Sequence, residues 1–326
     1  MRILTFQDVC RRKFERRRSI PGLQSHAGGY AVHLGPISPG CRPCFLHDPA
    51  SMFIPVGRSC NRRCVYCTTR FDGADSGPAF MRRVKARYRA ALPRLSRGAP
   101  RPKIAFTGGG EPLLYLDEVA SYLRSFLGPR RPRGPRPWVY LYTNGLHATA
   151  DRLRRLADLG LDEIRFHLGA SDFAPAVRRR LRAAAGIVPV VTVETPAWPP
   201  HRRRLLDLLP FFADAGVRHL NIGEVQVNAV NLARIAARLP GAEVYHVHLL
   251  HLYDGGLVYD VMERVAERGY PYSVLDCSGF VKQIQRGPAA DVWPPDVDGL
   301  CAEYPERRDG AGRGPRALAG GGAPCG

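Results

Sequence analysis

From Ser51 onwards, short apolar runs rich in β-branched and aromatic residues alternate with longer segments whose apolar positions recur at helical spacing. The runs predict strands over Met52–Val56, Lys103–Thr107, Trp138–Tyr142, Glu163–Leu168, Val188–Glu194 and His219–Gly223. Between them the helical period predicts Phe80–Leu92, stopped by Pro93, then Leu116–Leu127, Ala150–Leu159, Ala176–Ala185 and His201–Ala215. Neighbouring parallel strands need a crossover, and right-handed crossovers wind such a series into a barrel. The expectation is an α/β chain built on a partial (β/α)6, TIM-like barrel. Gly128–Pro137, almost entirely Pro, Gly and Arg, reads as an exposed insertion in one αβ loop.

The flanks are less regular. Residues 1–50 read as an N-terminal extension packing on or beside the barrel, with the basic run Arg11–Arg18 as a solvated helix face that ends at Ser19 and Pro21-Gly22. Pro39-Gly40-Cys41-Arg42-Pro43-Cys44 makes a stiff turn carrying two thiols. Beyond the sixth strand come a helix over Asn231–Arg238, an apolar run Val244–Leu252, a helix near Leu257–Arg268 and a strand near Tyr272–Asp276. The organisation expected is therefore an extension (1–50), a barrel core (51–225), a C-terminal α/β addition completing or covering the barrel (226–304) and a tail (305–326). The tail is mostly Gly, Arg, Pro and Ala, a composition that cannot build a core and reads as disordered.

A formal net charge of +19 invites a nucleic-acid reading. Yet only Lys13, Lys85, Lys103 and Lys282 are lysines among the 48 basic residues, a skew that GC-rich coding produces, so a nucleic-acid partner is not favoured. No run approaches the roughly 18 consecutive apolar residues of a membrane span. Nine cysteines favour metal or redox roles over a disulfide framework, and the expected location is the reducing cytoplasm.

The sharpest chemical signal is Cys60-Asn61-Arg62-Arg63-Cys64-Val65-Tyr66-Cys67, three thiols at C-x3-C-x2-C spacing. Three thiolates can hold three irons of a [4Fe–4S] cluster and leave the fourth open to a ligand, where electron-transfer clusters take four. Zinc would need a fourth ligand, which Cys41-x2-Cys44 could lend. In barrel enzymes the reacting groups follow the strands' C-terminal ends. The second strand is followed by Gly108-Gly109-Gly110-Glu111-Pro112, and the third runs into Thr143-Asn144-Gly145. Each turn alone is ordinary; both in register with the thiols are not. Alternation places Glu163, Arg165 and His167 on one face of the fourth strand, directed either at the helices or into the barrel. Glu194 and Glu224 stand at the next two strand ends, and Cys277 follows the last strand-like run. His246, His248 and His251 form a cluster in an apolar run, which is more often structural than metal-binding.

Together Cys60, Cys64 and Cys67, aromatic Tyr66, the Gly108–Glu111 turn and the Asn144 turn resemble the radical S-adenosylmethionine (SAM) superfamily. The resemblance implies a [4Fe–4S] cluster on Cys60, Cys64 and Cys67, whose open iron is chelated by SAM. It also implies one-electron cleavage of SAM to methionine and a 5′-deoxyadenosyl radical that abstracts hydrogen. SAM would be held by Gly108, Gly109, Gly110 and Glu111 with help from Tyr66, Asn144 and Arg165, while His167 and Glu194 are candidates for its carboxylate and ribose. Cys277 is a candidate hydrogen donor or second metal ligand, and Cys41 and Cys44 candidates for a second metal site. An electron donor such as flavodoxin or ferredoxin is implied, with a small molecule or peptide of a biosynthetic pathway as substrate. A narrower resemblance, to uncharacterised proteins related to glycyl-radical-enzyme activases, rests on Gly40-Cys41-x2-Cys44, Val193-Glu194-Thr195-Pro196, Leu220-Asn221-Ile222-Gly223-Glu224 and Cys277-Ser278-x-Phe280-x-Lys282. It keeps open an activase of a partner enzyme, beside a non-catalytic metal- or nucleic-acid-binding module.

Overall fold

A computed structural model describes residues 1–27, 29–45, 51–57, 59–69, 101–107, 110–129, 134–247 and 249–281, with isolated positions between 82 and 90. Seven strands run parallel in one sheet: β4 (Ser51–Pro55), β5 (Lys103–Thr107), β6 (Trp138–Thr143), β7 (Glu163–Phe166), β8 (Val190–Pro196), β9 (His219–Gly223) and β13 (Ser273–Cys277). The six expected strands are present in the expected order, and the late strand joins them as the seventh. The sheet has two ends and does not close, as a partial barrel requires.

One face of each strand is aliphatic or aromatic. Ile104, Phe106, Val139, Leu141, Ile164, Phe166, Val191, Val193, Leu220 and Ile222 are all buried in the main core, packed with Val119, Leu123, Leu153, Val177 and Leu181 from the helices. The other face lines the barrel interior and is polar: Tyr140, Tyr142, Glu163, Arg165, Thr192, Glu194, His219 and Asn221 follow one another across the register. Alternation along each strand sorts the two sets.

The helices over Leu116–Leu127 and Leu257–Arg268 lie where the period puts them. The single helix expected over His201–Ala215 is instead two, Arg202–Asp207 and Leu209–Asp214. Pro210 lacks the N–H that would bond back one turn, so the ladder is interrupted there. Of the helix expected over Phe80–Leu92, only Arg82, Ala86, Arg87, Arg89 and Ala90 fall among the described residues, and they are helical. The tail from 305 lies outside them.

The N-terminal extension is part of the barrel rather than a neighbour of it. Strands β2 (Leu23–His26) and β3 (Ala31–Leu34) form an antiparallel hairpin that continues the main sheet beyond β13. Ser38–Cys41 then enters the interior. The Ser38 hydroxyl donates to Glu163 (2.9 Å), the Tyr140 hydroxyl donates to the Gly40 carbonyl (3.2 Å), and any Cβ on Gly40 would overlap the Arg165 guanidinium. Only glycine lets the backbone come this close.

The basic run is a solvated face only in part: Arg11, Glu15, Arg16 and Arg18 are exposed. It belongs to the helix Phe6–Arg17, capped by Thr5, and Lys13 and Arg17 on it are buried. Lys13 Nζ lies 2.8 Å from Glu224 and 3.6 Å from Asp276, each carboxylate buried as deeply as the amine. Burial opposes the lysine's charge, but Asp276 and Glu224 outweigh it and hold its pKa well above the ordinary value. A smaller four-stranded sheet, in the order β1 (Arg2–Leu4), β11 (Glu243–His246), β12 (Leu250–Leu252), β10 (Gln226–Val227), completes the fold. His246 is exposed and His251 buried on this hairpin, so the two do not converge, and His248 lies outside the described residues. No described helix is long and apolar enough to cross a membrane.

Removing one partner of a buried ion pair strands the others, at a cost of about 3–5 kcal/mol. Lys13→Ala is therefore expected to lower the urea-unfolding stability of the apoprotein by about that much. An unchanged midpoint would show that this triad does not hold the N-terminal helix to the barrel.

Candidate functional site

At the C-terminal edge of the sheet lies an open cavity of about 300 Å³. Its wall includes Cys60, Cys64, Tyr66, Cys67, Gly110, Glu111, Tyr142, Asn144 and His167. The loop after β4, the turn after β5, the end of β6 and the residue after β7 therefore meet around one space. Gly108 and Gly109 lie outside the described residues.

The thiol loop is held from four directions. Glu111 N–H donates to the Ser59 carbonyl (2.9 Å), Asn144 Nδ2 to Asn61 (2.6 Å) and Arg62 Nε to the Ala170 carbonyl (2.6 Å). On the far side Asn231 Nδ2 donates to the Tyr66 carbonyl (3.0 Å), Arg234 to that of Cys67 (2.8 Å) and Asn228 to that of Thr68 (3.1 Å). This carbonyl clamp was missed in the sequence. Its only trace was an Asn-rich break, Asn228-Ala229-Val230-Asn231, before a short helix.

Cys60, Cys64 and Cys67 are free, half-buried thiols. Burial, then the neighbouring Cys67 and Cys60, push Cys64 up to about 11. The three are near enough to feel one another's charge, yet no three Cys, His, Asp or Glu among the described residues converge as a single ion requires. That donor set suits a cluster that gives each thiolate its own iron, and binding it would displace thiol protons.

Glu111 is buried and its carboxylate accepts from Thr143 Oγ1 (2.6 Å), Asn144 N (2.7 Å) and Leu113 N (3.0 Å). Burial raises its pKa, and these three donors oppose the rise. Glu111 thus shapes the turn and fixes Asn144 over the cavity. His167 is neutral: burial lowers its pKa to about 4, and Nδ1 accepts from Ala170 N (2.9 Å), which leaves the proton on Nε2. Tyr66 stacks on His167 with centroids 5.8 Å apart and leans on Trp198 at 5.5 Å. Its hydroxyl lies beside Gly169, where an added Cβ would sit 3.0 Å from it and 3.2 Å from both Thr195 Oγ1 and His201 Nδ1. A side chain at 169 would therefore crowd the Tyr66 hydroxyl, which would have to give by a few tenths of an ångström.

Three expected site residues lie elsewhere. Arg165 points inward but sits beneath the cavity, its Nε on Glu163 (2.8 Å), Nη1 on Tyr142 (3.1 Å) and Glu194 (3.3 Å), and Nη2 on Ser38 (3.3 Å). Its fork is occupied by protein carboxylates, so the structure places it in a supporting layer. Glu194 belongs to that layer, not to the cavity wall. Cys277 ends β13 beyond the wall, where its carbonyl accepts from Glu224 N. Of the expected thiol pair, Cys41 is buried against Asn221 Nδ2 (3.3 Å), and the side chain of Cys44 lies outside the described residues.

Residues 54–188 match the family model described as the radical SAM superfamily, so this span is a radical SAM domain. Members of that superfamily use a [4Fe–4S] cluster and SAM. Similar solved structures include Streptococcus suis SuiB bound to S-adenosylmethionine (12% identity, 56% of this chain and 42% of that one, TM-score 0.41). Others are SuiB bound to the precursor peptide SuiA (11%, 77% and 54%, 0.45) and BtrN in complex with AdoMet and 2-DOIA (21%, 45% and 56%, 0.30). The chain spans about half the length of these structures. No curated protein matches it.

If Glu111 organises the turn, Glu111→Ala strands two backbone N–H groups and the Thr143 hydroxyl. Each buried unsatisfied group costs about 1–3 kcal/mol, so a loss of about 3 kcal/mol in chemical denaturation of the apoprotein is expected. A loss confined to SAM affinity, with stability unchanged, would contradict the shaping role.

Proposed function

We propose that the chain is a radical SAM enzyme acting on a small-molecule or peptide substrate in a biosynthetic pathway, in a reducing cytoplasm and with a flavodoxin or ferredoxin as electron donor. The observation that supports this best is the meeting of three free thiols, the Glu111 turn and Asn144 around one cavity inside the span matched by the radical SAM domain. The cluster and SAM, when bound, would supply one-electron cleavage to methionine and a 5′-deoxyadenosyl radical able to take hydrogen from a substrate.

The chain's own contribution is positional. Cys60, Cys64 and Cys67 would hold the cluster on a loop whose carbonyls are clamped by Asn228, Asn231 and Arg234, so the thiols are presented by a braced backbone. Gly110 and Asn144 in the cavity wall would face SAM, with Glu111 fixing both the turn and the Asn144 backbone. The neutral His167 can donate from Nε2 without adding charge to the cavity. The Tyr66 ring, held by His167 and Trp198, closes one side against water. Excluding water protects a radical from side reactions and strengthens each polar contact.

Anaerobic reconstitution is expected to give a brown, air-sensitive protein that forms 5′-deoxyadenosine from SAM only when a strong reductant such as dithionite is present. Cys64→Ala should lose both iron and 5′-deoxyadenosine formation. Cleavage of SAM by the Ala variant at the wild-type rate would refute the proposal.

A further inference from the structure

The layer beneath the cavity is charged and almost closed. Glu163 is fully buried, and its oxygens accept from Arg165 Nε, Thr192 (2.7 Å), Trp138 Nε1 (3.0 Å) and Ser38 (2.9 Å). Glu194 differs in being reached by solvent, its side chain 20% exposed. One of its oxygens, Oε2, takes Arg165 Nη1 (3.3 Å) and Asn221 Nδ2 (2.7 Å). Among the described residues hydrogen-bonded in this set, Arg165 is the one cation shared by two carboxylates, so the set itself carries one more negative than positive charge. The excess lies on the side that solvent reaches.

Asn221 supplies the second observation. It is 2% exposed, and its Nδ2 is committed to Glu194 and to Cys41 Sγ (3.3 Å). The reverse amide orientation would set Oδ1 against a carboxylate oxygen, so the orientation is chemically fixed. Oδ1 therefore remains an acceptor, and it is buried without a donor among the described residues. An unpartnered buried acceptor is costly, and a site that leaves one beside a surplus carboxylate is built for something that brings N–H groups.

We infer that the substrate carries a primary amino group in its ammonium form, bound by the Glu194 carboxylate and Asn221 Oδ1, which face each other on the neighbouring strands β8 and β9. This rests on the enzyme reading above and specifies its substrate class. An ammonium has three donors and one positive charge: it supplies the missing donor to Asn221 and neutralises the excess carboxylate. A hydroxyl could satisfy the amide but not the charge, and a carboxylate or phosphate would meet Glu194 directly. The placement also fits the reaction. Tyr142 lines the cavity and its hydroxyl is 3.1 Å from Arg165, which pairs with Glu194, so an amine held there lies one side chain from the SAM-facing space. Asn221 and Glu194 are binding residues in this scheme; Arg165 and Glu163 act as positioning residues beneath them.

The test uses reconstituted, SAM-loaded holoenzyme in anaerobic equilibrium ultrafiltration. The panel is an equimolar mixture of amino sugars, amino acid amides and lysine dipeptides, each paired with its N-acetyl counterpart, and retention is read by mass spectrometry. Amine members are expected to be held about tenfold better than their N-acetyl partners, the size of one charge-assisted hydrogen bond. Glu194→Gln and Asn221→Ala should each shrink that ratio several-fold. The wild-type ratio is decisive even where a variant folds poorly. Equal retention of amine and N-acetyl members by the wild type, or a ratio untouched in both variants, overturns the inference. SAM retained in the same filtration while amines are not preferred would sink the substrate class and leave the enzyme reading standing; failure to retain SAM would remove both.

Discussion

The Arg165–Glu163 ion pair in the barrel interior is the contact from which the rest follows. Both side chains are buried, the glutamate completely. Burial works to raise the Glu163 pKa, but the Arg165 charge and the Thr192 and Trp138 hydrogen bonds outweigh it and hold it below the ordinary carboxylate value. A buried pair persists only when its remaining donors and acceptors are met, and here they are met by the two neighbouring strands β6 and β8 and by the segment carrying Ser38. The guanidinium also lies over the Tyr140 ring at 4.2 Å, so the pair organises the aromatic residues that support the cavity floor.

That arrangement explains why the outer half of the fold was legible and the inner half less so. Ile164 and Phe166 alternate with Glu163 and Arg165, and the pattern alone defines a strand with two unlike faces. It does not say which face turns inward. Most barrels put aliphatic residues inside, whereas this one reserves its aliphatic face for the helices and packs ions within. The basic run at Arg11–Arg18 misled in part, for a related reason: spacing cannot distinguish a lysine in water from one enclosed by Glu224 and Asp276, because those partners lie more than two hundred positions away.

The site shows the same division. Cys60, Cys64, Cys67, Glu111 and Asn144 could be picked out because their chemistry is written in short, local spacings, and the structure brings them to one cavity. Asn228, Asn231 and Arg234 act on backbone carbonyls, which carry no sequence signature on the receiving side. The strand pattern leaves open whether Arg165 turns toward the helices or inward; in the structure it turns inward, and the carboxylates that occupy its fork come from Glu163 and Glu194. Here both the direction of the side chain and its partners are tertiary facts.

Gly40 has a consequence for how the molecule is made. The segment it belongs to ends inside the barrel, and Ser38 meets Glu163 across a separation of 125 residues. During synthesis the segment emerges long before β6 and β7 exist to receive it, and loop-closure entropy must be met before any of its contacts form. The sheet does not close, and this segment runs from β3 near one end to β4 at the other, so it can enter through the open side. Until it does, Glu163 and Arg165 lack Ser38, and the interior ion pair is complete only once the first fifty residues have joined the middle of the chain.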